Sequence, residues 1–303
     1  MKRNAIFRII LFSLGILVLL GILGAGLGAH LFVFRSYREH SPEETHIPEK
    51  VDPGIVSEGE NFTADSANIQ GIEIDWVSGS ITIEALPGAD SITVSESEVA
   101  DTDLKMICRI KGNTLKIEYC RDGIRFPSFG FTGNDAKDLL IQVPAEWLCA
   151  SLEIETASAD VTLRNLTIRE LDFDGASGRC NAENCAVTSL DMDVASGDVT
   201  FCGSLEMLDF DGASSDCTLI LTNCPRSLEL DGMSGNLELT LPADCGFTLE
   251  QEGLSSQFSS DFETSTQNGR HVFGDGSCRI RVEAVSGSVH IYKGSGSCHE
   301  NHP

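Results

Sequence analysis

Acidic pairs recur at a fixed distance before a repeated serine. Five and three residues before each of five serines, all ten positions are acidic: Glu153/Glu155, Asp172/Asp174, Asp191/Asp193, Asp209/Asp211 and Glu229/Asp231. A spacing of two places both carboxylates of a pair on one face of a β-strand. Because hard divalent cations prefer carboxylate oxygens, the pattern predicts a weak Ca²⁺-binding ladder. Its predicted ligands are Asp172, Asp174, Asp191, Asp193, Asp209 and Asp211.

Three other interpretations of these acidic residues remain open besides Ca²⁺ binding. Two of them are structural and one is functional. A solvated acidic face would keep a flat sheet from aggregating. Asp174, Asp211 and Asp231 are each followed by Gly, so their side chains could instead close local Asx-turns. A basic protein partner would also fit the charge. No other cofactor is predicted.

The elements that must position these acids are short β-strands in a repeat. A small or apolar residue followed by Ser, and usually by Gly, occurs seven times, and the five central serines are 19, 19, 18 and 20 residues apart. Apolar residues stand four and six before, and three and five after, each central serine. This predicts an all-β fold, a single-stranded parallel β-solenoid with coils of 18–20 residues. An antiparallel sandwich is the alternative. The serines are Ser78, Ser158, Ser177, Ser196, Ser214, Ser234 and Ser286.

The serine itself marks a corner between two strands of a coil. Ala159 and Ser215 replace the glycine that follows most of these serines, so small size rather than a positive φ is predicted to matter there. No His or Lys recurs beside the serines to act as a base. The serine column is therefore predicted to form hydroxyl hydrogen bonds rather than to supply nucleophiles.

Eleven cysteines make an odd set. Cys180 and Cys217 fall in one inward column two coils apart, about 9.6 Å, beyond the reach of a disulfide. They are predicted to be buried thiols. Cys185 and Cys202 fall near the opposite corner of successive coils, where a bridge between them is one prediction. Cys298 lies in a tail, residues 294–303, that is predicted to be disordered.

The N-terminal region predicts a membrane anchor. Residues 9–34 carry no formal charge, long enough for a transmembrane helix that follows a short cytoplasmic stub within residues 1–34. A cleaved signal peptide is the alternative. Gly24 and Gly28 form a GxxxG that could pair two such helices in a homodimer. A polar spacer is predicted at 35–66, irregular β coils at 67–146 and the regular solenoid at 147–293.

The net charge limits the classes of partner that this protein can bind. The net charge is −25, and no acid precedes residue 39, so the following region is strongly acidic. Such a surface is repelled by phosphate backbones, which excludes nucleic acid. It favours cations, basic partners or simple solubility.

Three segments, in their order along the chain, give this sequence its likeness: it resembles the bacterial putative-adhesin family, whose members are cell-surface β-solenoid domains of unknown function. The segments are coils of the type Ala195-Ser-Gly-Asp-Val199, the lead-in Lys137-Asp-Leu-Leu-Ile-Gln-Val-Pro144, and the closing pair Phe273-Gly-Asp-Gly276 and Val285-Ser-Gly-Ser-Val-His-Ile-Tyr292. The resemblance covers residues 69–293. It implies a membrane-tethered or secreted bacterial protein with a role in adhesion or envelope-stress sensing, and it supplies no catalytic residues.

The predicted function is therefore a non-enzymatic, single-pass membrane protein whose C-terminal domain is extracellular and binds an unknown surface or membrane-protein partner. One alternative is an envelope-stress sensor that signals through a membrane partner. Another is a polysaccharide-active β-helix enzyme. Against the enzyme, the acids repeat in register, whereas catalysis needs one asymmetric carboxyl pair.

Overall fold

The computed structural model describes residues 56–58, 61–97, 105–120, 136–253, 256–294 and 298. Within these residues, no helix has the length and apolar character needed to cross a bilayer. The predicted transmembrane segment at 9–34, with Gly24 and Gly28, lies outside them. So do most of the predicted spacer and all of the tail beyond Gly294 except Cys298.

The described chain is all-β, as predicted, with one short 3-10 turn at Ser66–Asn68. The strands are β1 Val56–Glu58, β2 Asn61–Asp65, β3 Gly71–Leu86, β4 Ser91–Glu96, β5 Ile107–Lys111, β6 Thr114–Glu118, β7 Lys137–Pro144, β8 Leu148–Arg164, β9 Thr167–Gly175, β10 Cys180–Ser196, β11 Val199–Ser214, β12 Cys217–Leu221, β13 Ser227–Ser234, β14 Leu237–Pro242, β15 Phe247–Gly253, β16 Ser256–Ser260, β17 Ser265–Gln267, β18 Arg270–Phe273 and β19 Cys278–Gly294.

Successive coils of the central block stack in register. On the inward side after the serine, equivalent apolar residues pair from strand to strand through β8, β10, β11, β12 and β14. This column is Leu163, Ala182, Phe201, Leu219 and Leu239, and each member is at most 3% exposed. Since burial of one such large side chain contributes about 1.5–3 kcal/mol, stacking supplies the core that a single coil cannot form.

A second inward column lies before the serine. Ile154, Phe173, Met192, Phe210 and Leu230 are aligned strand by strand through β8, β9, β10, β11 and β13, and all are buried. The polar residues between them face outward. The alternation that the sequence shows is therefore the alternation between core and surface.

The sheet as a whole is mixed, which corrects the expectation of a parallel solenoid throughout. Antiparallel pairs occur outside the central block: β2 with β4, β4 with β7, β5 with β6, and β15 and β17 with β18. On one edge of β3, β6 and β7 pair with it in parallel, and on the other edge β8 does so, with Ser78 opposite Ser158. The antiparallel pair of β5 and β6 is a tight hairpin, since antiparallel strands can be joined by a two-residue turn.

The segment predicted as spacer is partly folded. β2 lies inside the range 35–66 and pairs with β4 from Asn61–Ser95 to Asp65–Ser91. Phe62 and Ala64 of β2 are buried in the core. The alternation of Asn61-Phe-Thr-Ala-Asp65 is the signal for this strand, and its polar residues and the neighbouring prolines concealed it.

Four serine corners adopt the left-handed backbone that the sequence argument set aside. Gly79, Gly178, Gly197 and Gly287 have φ between 107° and 134°. A Cβ on Gly197 would lie 1.8 Å from the Gly178 carbonyl oxygen of the preceding coil. Both conformation and close approach therefore require glycine at this position, and small size alone is not enough.

The opposite corner is built from asparagine. Asn165 and Asn184 have φ of 58° and 54°, a conformation that asparagine tolerates better than most residues. Asn184 Nδ2 donates to Asn165 Oδ1 at 2.8 Å, so the two side chains join successive coils. Gly203 follows in the next coil.

Replacing Val199 by Asp tests the inward column. Val199 pairs with Cys180 on one side and Cys217 on the other and is 3% exposed. A charge there has no partner, so we expect loss of cooperative melting or a destabilisation of about 4 kcal/mol or more. Thr200→Asp is the control, because Thr200 is the next residue and is more exposed. Unchanged melting of Val199→Asp would contradict the inward assignment.

Candidate functional site: an acidic ladder on one sheet face

The ten acids found in the sequence lie together on one outward face, in two columns. The structure adds Glu73 and Asp75 of β3, which pair with Glu153 and Glu155 of β8. We call these twelve residues the acidic ladder. One column is Glu73, Glu153, Asp172, Asp191, Asp209 and Glu229, and the other is Asp75, Glu155, Asp174, Asp193, Asp211 and Asp231.

In-register pairing accounts for the ladder directly. Adjacent strands of a sheet lie about 4.8 Å apart, so each carboxylate has like neighbours above and below it. At about 5 Å, two unit charges repel by about 0.8 kcal/mol in water and by more where solvation is poor. The core columns behind the ladder hold these charges in place.

Burial and repulsion together raise carboxyl pKa values along the ladder. The pKa of Asp174 rises to about 6, first because of desolvation and then because of the charges of Asp193, Asp172, Glu155 and Asp191. The pKa values of Glu153 and Glu155 are raised as well. Desolvation is the largest cause at each residue, and the charges of neighbouring carboxylates add to it.

Near the far end, the pKa of Asp231 also rises to about 6. Desolvation is the largest cause, followed by the charges of Glu283, Glu229 and Asp211, while Arg281 opposes the shift. Asp174 and Asp231 are therefore the two ladder carboxyls that bind a proton as the solution becomes mildly acidic.

Each end of the ladder meets a cation. Lys116 of β6 lies beside β3, with its Nζ 2.9 Å from Asp75 Oδ2 and in contact with Glu73. At the other end, Arg281 of β19 places one guanidinium nitrogen 3.0 Å from Glu229 Oε1 and also contacts Glu283. These ion pairs compensate the repulsion at the terminal coils.

The sequence contained the signal for the residues that it missed. Applied to the first serine, Ser78, the offsets of five and three give Glu73 and Asp75. Applied to the last, Ser286, they give Arg281 and Glu283. Lys116 belongs to an inserted hairpin and follows no repeat, so only the pairing of β6 with β3 places it.

The arrangement is an open row rather than an enclosing cage. Among the residues that the structure describes, no group of three or more His, Cys, Asp or Glu side chains is arranged to hold a metal ion. The six aspartates named from sequence are brought into two neighbouring columns, as expected. Calcium binding by them stays a prediction.

The serine column has a structural role. Ser158, Ser177 and Ser196 donate their hydroxyls to the carbonyl oxygens of Val77, Ala157 and Ala176 in the preceding coil, at 3.2–3.4 Å. The hydroxyls are thus engaged in joining coils at the corner, as the sequence analysis predicted.

One serine, histidine and aspartate meet elsewhere. Ser259 Oγ lies 2.6 Å from His290 Nδ1, and Asp261 Oδ1 lies 3.6 Å from His290 Nε2. The His290 ring also stacks on Tyr292 at 3.9 Å. In a hydrolytic triad the aspartate holds the imidazole through a hydrogen bond, and 3.6 Å is too long for one. We read this group as a surface contact between β16 and β19.

A buried ion pair was not visible in the sequence. Lys137 Nζ lies 2.7 Å from Glu96 Oε2 and donates to the Tyr119 carbonyl at 2.6 Å. The two side chains are 3% and 0% exposed. Burial lowers the pKa of Lys137, and the contact with Glu96 opposes this. Residues 41 apart in sequence carry no local pattern for such a pair.

Aromatic rings surround the lysine. The Lys137 nitrogen lies 4.6 Å from the Trp76 ring centroid and 4.0 Å from that of Tyr119. Trp76 Nε1 donates back to the Lys137 carbonyl at 3.1 Å, and Met106 N donates to Glu96 Oε1 at 2.9 Å. Because these polar groups have partners, we assign the cluster to closing the core where β3, β4 and β7 meet.

The cysteines are mostly inert. Cys180 and Cys217 are buried and reduced, as predicted, and burial raises the pKa of each to about 12. Burial likewise raises the pKa of Cys185 to about 11. Thiols with such pKa values are poor nucleophiles at neutral pH.

The predicted Cys185–Cys202 bridge is wrong. A register shift after Glu183 pairs Cys185 with Gly203, whereas Cys202 pairs with Glu183. Cys185 therefore packs into the core, while Cys202 is joined to Cys298. A second disulfide joins Cys224 to Cys245. The bulge, which the sequence does not reveal, turns the two side chains apart.

Comparison with known proteins places this fold in a family. The model of the Toastrack DUF4097 family matches residues 69–216 and, overlapping, 149–292. The chain therefore belongs to the Toastrack DUF4097 family, in agreement with the resemblance to adhesin-type surface domains noted above. A search of curated proteins found no match.

Three solved structures align with most of this chain. A putative cell adhesion protein from Clostridium sporogenes is 10% identical, with 80% of this chain and 100% of that chain covered and a TM-score of 0.38. A putative adhesin from Bacteroides fragilis is 14% identical, with coverage of 78% and 97% and a TM-score of 0.48. A putative lipid binding protein from Parabacteroides distasonis is 15% identical, with coverage of 76% and 96% and a TM-score of 0.40.

Acidification should stabilise the ladder. A carboxyl whose pKa is raised on folding binds its proton more tightly in the folded state, so its contribution to stability grows as pH falls through about 6 towards 4. We expect Asp174→Asn to raise Tm at pH 7.5 by about 1–4 °C and to leave Tm nearly unchanged at pH 4.5.

Asp244→Asn is the control for this measurement, since Asp244 is exposed and lies outside the ladder. It removes the same charge and should shift Tm little at either pH. An Asp174→Asn variant that is less stable than the native chain at pH 7.5 would show that the Asp174 carboxylate stabilises its coil.

The buried ion pair of Lys137 and Glu96 predicts that substitutions at these two residues have non-additive effects on stability in a double-mutant cycle. Glu96→Leu leaves an ammonium without its partner and should cost about 3–5 kcal/mol of unfolding free energy. The double change Lys137→Met with Glu96→Leu should cost less than Glu96→Leu alone, as measured by denaturant unfolding. The exposed pair Arg179 and Asp160, 3.7 Å apart, is the control and should show a coupling below about 1 kcal/mol. Additive costs at Lys137 and Glu96 would contradict the assignment.

Proposed function

We propose that this protein is a non-enzymatic surface-binding module of the adhesin type, anchored in the cell membrane by its N-terminal segment with the β domain outside. The observation that carries the proposal is the acidic ladder, a repeated and rigidly spaced row of carboxylates on one face. Family membership supports the surface role, and the uncharged run at residues 9–34 supports the anchor.

The geometry favours binding of a repeating cationic ligand. Six coils present the same acidic pair at intervals of about 4.8 Å, so the ladder extends over about 24 Å. A polymer with many positive groups could engage several pairs at once, and each contact made would raise the effective concentration for the next. Divalent cations would relieve the same repulsion singly.

The regularity also argues against a catalytic use of these acids. Acid–base catalysis on a glycosidic bond requires two carboxyls in different environments, one of them holding a proton. Here raised pKa values occur at Glu153, Glu155, Asp174 and Asp231, and desolvation followed by neighbouring carboxylates is the main cause at each. A row of equivalent groups suits avidity.

A titration of purified protein tests the proposal. We expect octalysine at low ionic strength, and Ca²⁺ at millimolar concentration, to raise Tm by a few degrees, because ligand bound only to the folded state stabilises it. Changing Asp191, Asp193, Asp209 and Asp211 together to Asn should abolish both shifts. The control carries the same charge change at four exposed acids outside the ladder: Glu146, Glu170, Asp198 and Asp244.

Three results would contradict the proposal or one of its parts. Equal shifts in both quadruple variants would mean that binding follows net charge and not the ladder. No labelling of intact, unpermeabilised cells by an antibody to the β domain would remove the surface location. A rise in Tm with Ca²⁺ but not with octalysine would identify divalent cations as the ligand and contradict binding of a cationic polymer.

A further inference from the structure

The β5–β6 hairpin is a basic segment at one end of an acidic sheet. Residues 105–118 carry a net positive charge, whereas the chain as a whole has a net charge of −25. β5 and β6 pair with each other, and β6 then pairs with β3, the first strand of the acidic ladder. The hairpin therefore continues the ladder face with the opposite sign of charge. Its cations are Lys105, Arg109, Lys111 and Lys116, and its carboxylate is Glu118.

Lys116 separates the acidic ladder from the outer strand β5. Its ammonium contacts Glu73 and Asp75, so the charge of the first acidic pair is partly compensated. The next acidic pair, on β8, lies three strands from β5, or about 14 Å. Since the screening length at physiological ionic strength is about 8 Å, the ladder opposes only weakly the attraction of an anion to β5.

The cations of β5 face solvent. Arg109 and Lys111 share one face of the strand, because they alternate with Cys108, which is buried, and with Ile110, which packs against the core. Arg109 contacts Glu118 at 2.8 Å, yet its side chain is 41% exposed. Lys111 and the turn that follows it are exposed. An anionic surface can therefore reach both cations.

We propose that the β5–β6 hairpin contacts the anionic phospholipid headgroups of the membrane that carries this protein, an inference that rests on the membrane anchor of the proposed function. A guanidinium such as that of Arg109 binds phosphate oxygens through two parallel hydrogen bonds, and an ammonium such as that of Lys111 adds a point charge. Basic side chains close to a membrane-anchoring segment bind anionic lipids through these interactions.

The path of the chain favours lipid as the source of the phosphate. β1 is the first strand that the structure describes, and its Val56 pairs with Arg109, so the chain enters the fold beside the basic strand. The residues between the uncharged run at 9–34 and Val56 span at most about 75 Å when extended. Contact with the membrane is then an intramolecular event at high effective concentration, whereas a soluble polyanion must bind from solution.

The charge at the other end of the sheet favours the same orientation. β15 carries Glu250 and Glu252, and Arg270 of β18 contacts only the first of these. β18 lies ten strands from β5, or about 48 Å along the sheet. An anionic surface attracts the hairpin and repels this acidic end. Contact through the hairpin therefore keeps the acidic ladder away from lipid and open to its own ligand.

Lysine labelling of the full chain in lipid nanodiscs tests this proposal. The nanodiscs contain phosphatidylcholine alone or an equal mixture with phosphatidylglycerol. The protein is acetylated briefly with acetic anhydride, a neutral reagent, and each lysine is quantified by mass spectrometry. We expect phosphatidylglycerol to slow the acetylation of Lys111 by about threefold or more. Lys293, which is exposed on β19, is the internal control and should react at the same rate in both lipids. Sodium chloride at about 0.5 M should restore the rate at Lys111, because it screens the attraction.

Two arginine variants test whether the charge of β5 is responsible. Arg109→Gln removes one of the two outward cations of this strand, so the ratio of the Lys111 rates in the two lipids should fall below about twofold. Arg179→Gln removes the same charge at an exposed ion pair outside the hairpin and should leave that ratio unchanged.

Equal Lys111 rates in the two lipids would overturn the proposal, and so would equal slowing at Lys293 or slowing that Arg109→Gln does not change. Slowing by soluble polyphosphate, but not by phosphatidylglycerol, would assign the hairpin to a soluble polyanion instead. A full chain that does not enter nanodiscs would contradict the membrane anchor and this proposal together. A chain that enters them with an unaffected Lys111 would contradict only the lipid contact.

Discussion

In-register stacking of coils is the constraint on which this molecule depends. When one winding lies directly over the previous one, every residue type that repeats at a fixed offset becomes a column. Inward columns such as Leu163, Phe201 and Leu219 form the core, and outward columns form the acidic ladder. The same geometry therefore creates both the stabilising burial and the repulsion that opposes it. The core holds carboxylates together that would otherwise separate.

The ends of the stack show how such a structure is closed. At one end, Lys137 packs on Trp76 and Tyr119 and pairs with Glu96. At the other, Lys293 lies over the rings of Phe262 and Phe273, 4.9 and 5.6 Å from their centroids. Aromatic rings fill the space where no further coil continues the apolar columns, and each lysine covers them. Antiparallel hairpins complete the closure and make the sheet mixed.

The proposed function uses the outward face of the coils, whereas their corners have a structural role. The ladder precedes the serine, and the serine hydroxyls join successive coils at the corner. Binding as proposed would use several acidic pairs at once, since a polymer that reaches one pair lies within reach of the next.

The sequence by itself determined those features of the structure that recur in every coil. The period of 18–20 residues, the inward apolar positions, the acidic face and the buried state of Cys180 and Cys217 could all be read from offsets to a serine, because stacking converts sequence spacing into spatial neighbourhood. Only the tertiary structure decided what lies outside the repeat: the pairing of β2 with β4, the Lys137–Glu96 contact, and the partner of Cys202. The bulge after Glu183 turned Cys185 inward, and a shift of one residue reverses the side that a strand residue faces. Contacts between distant, non-repeating segments depend on where the chain returns to the stack, and no local spacing records that.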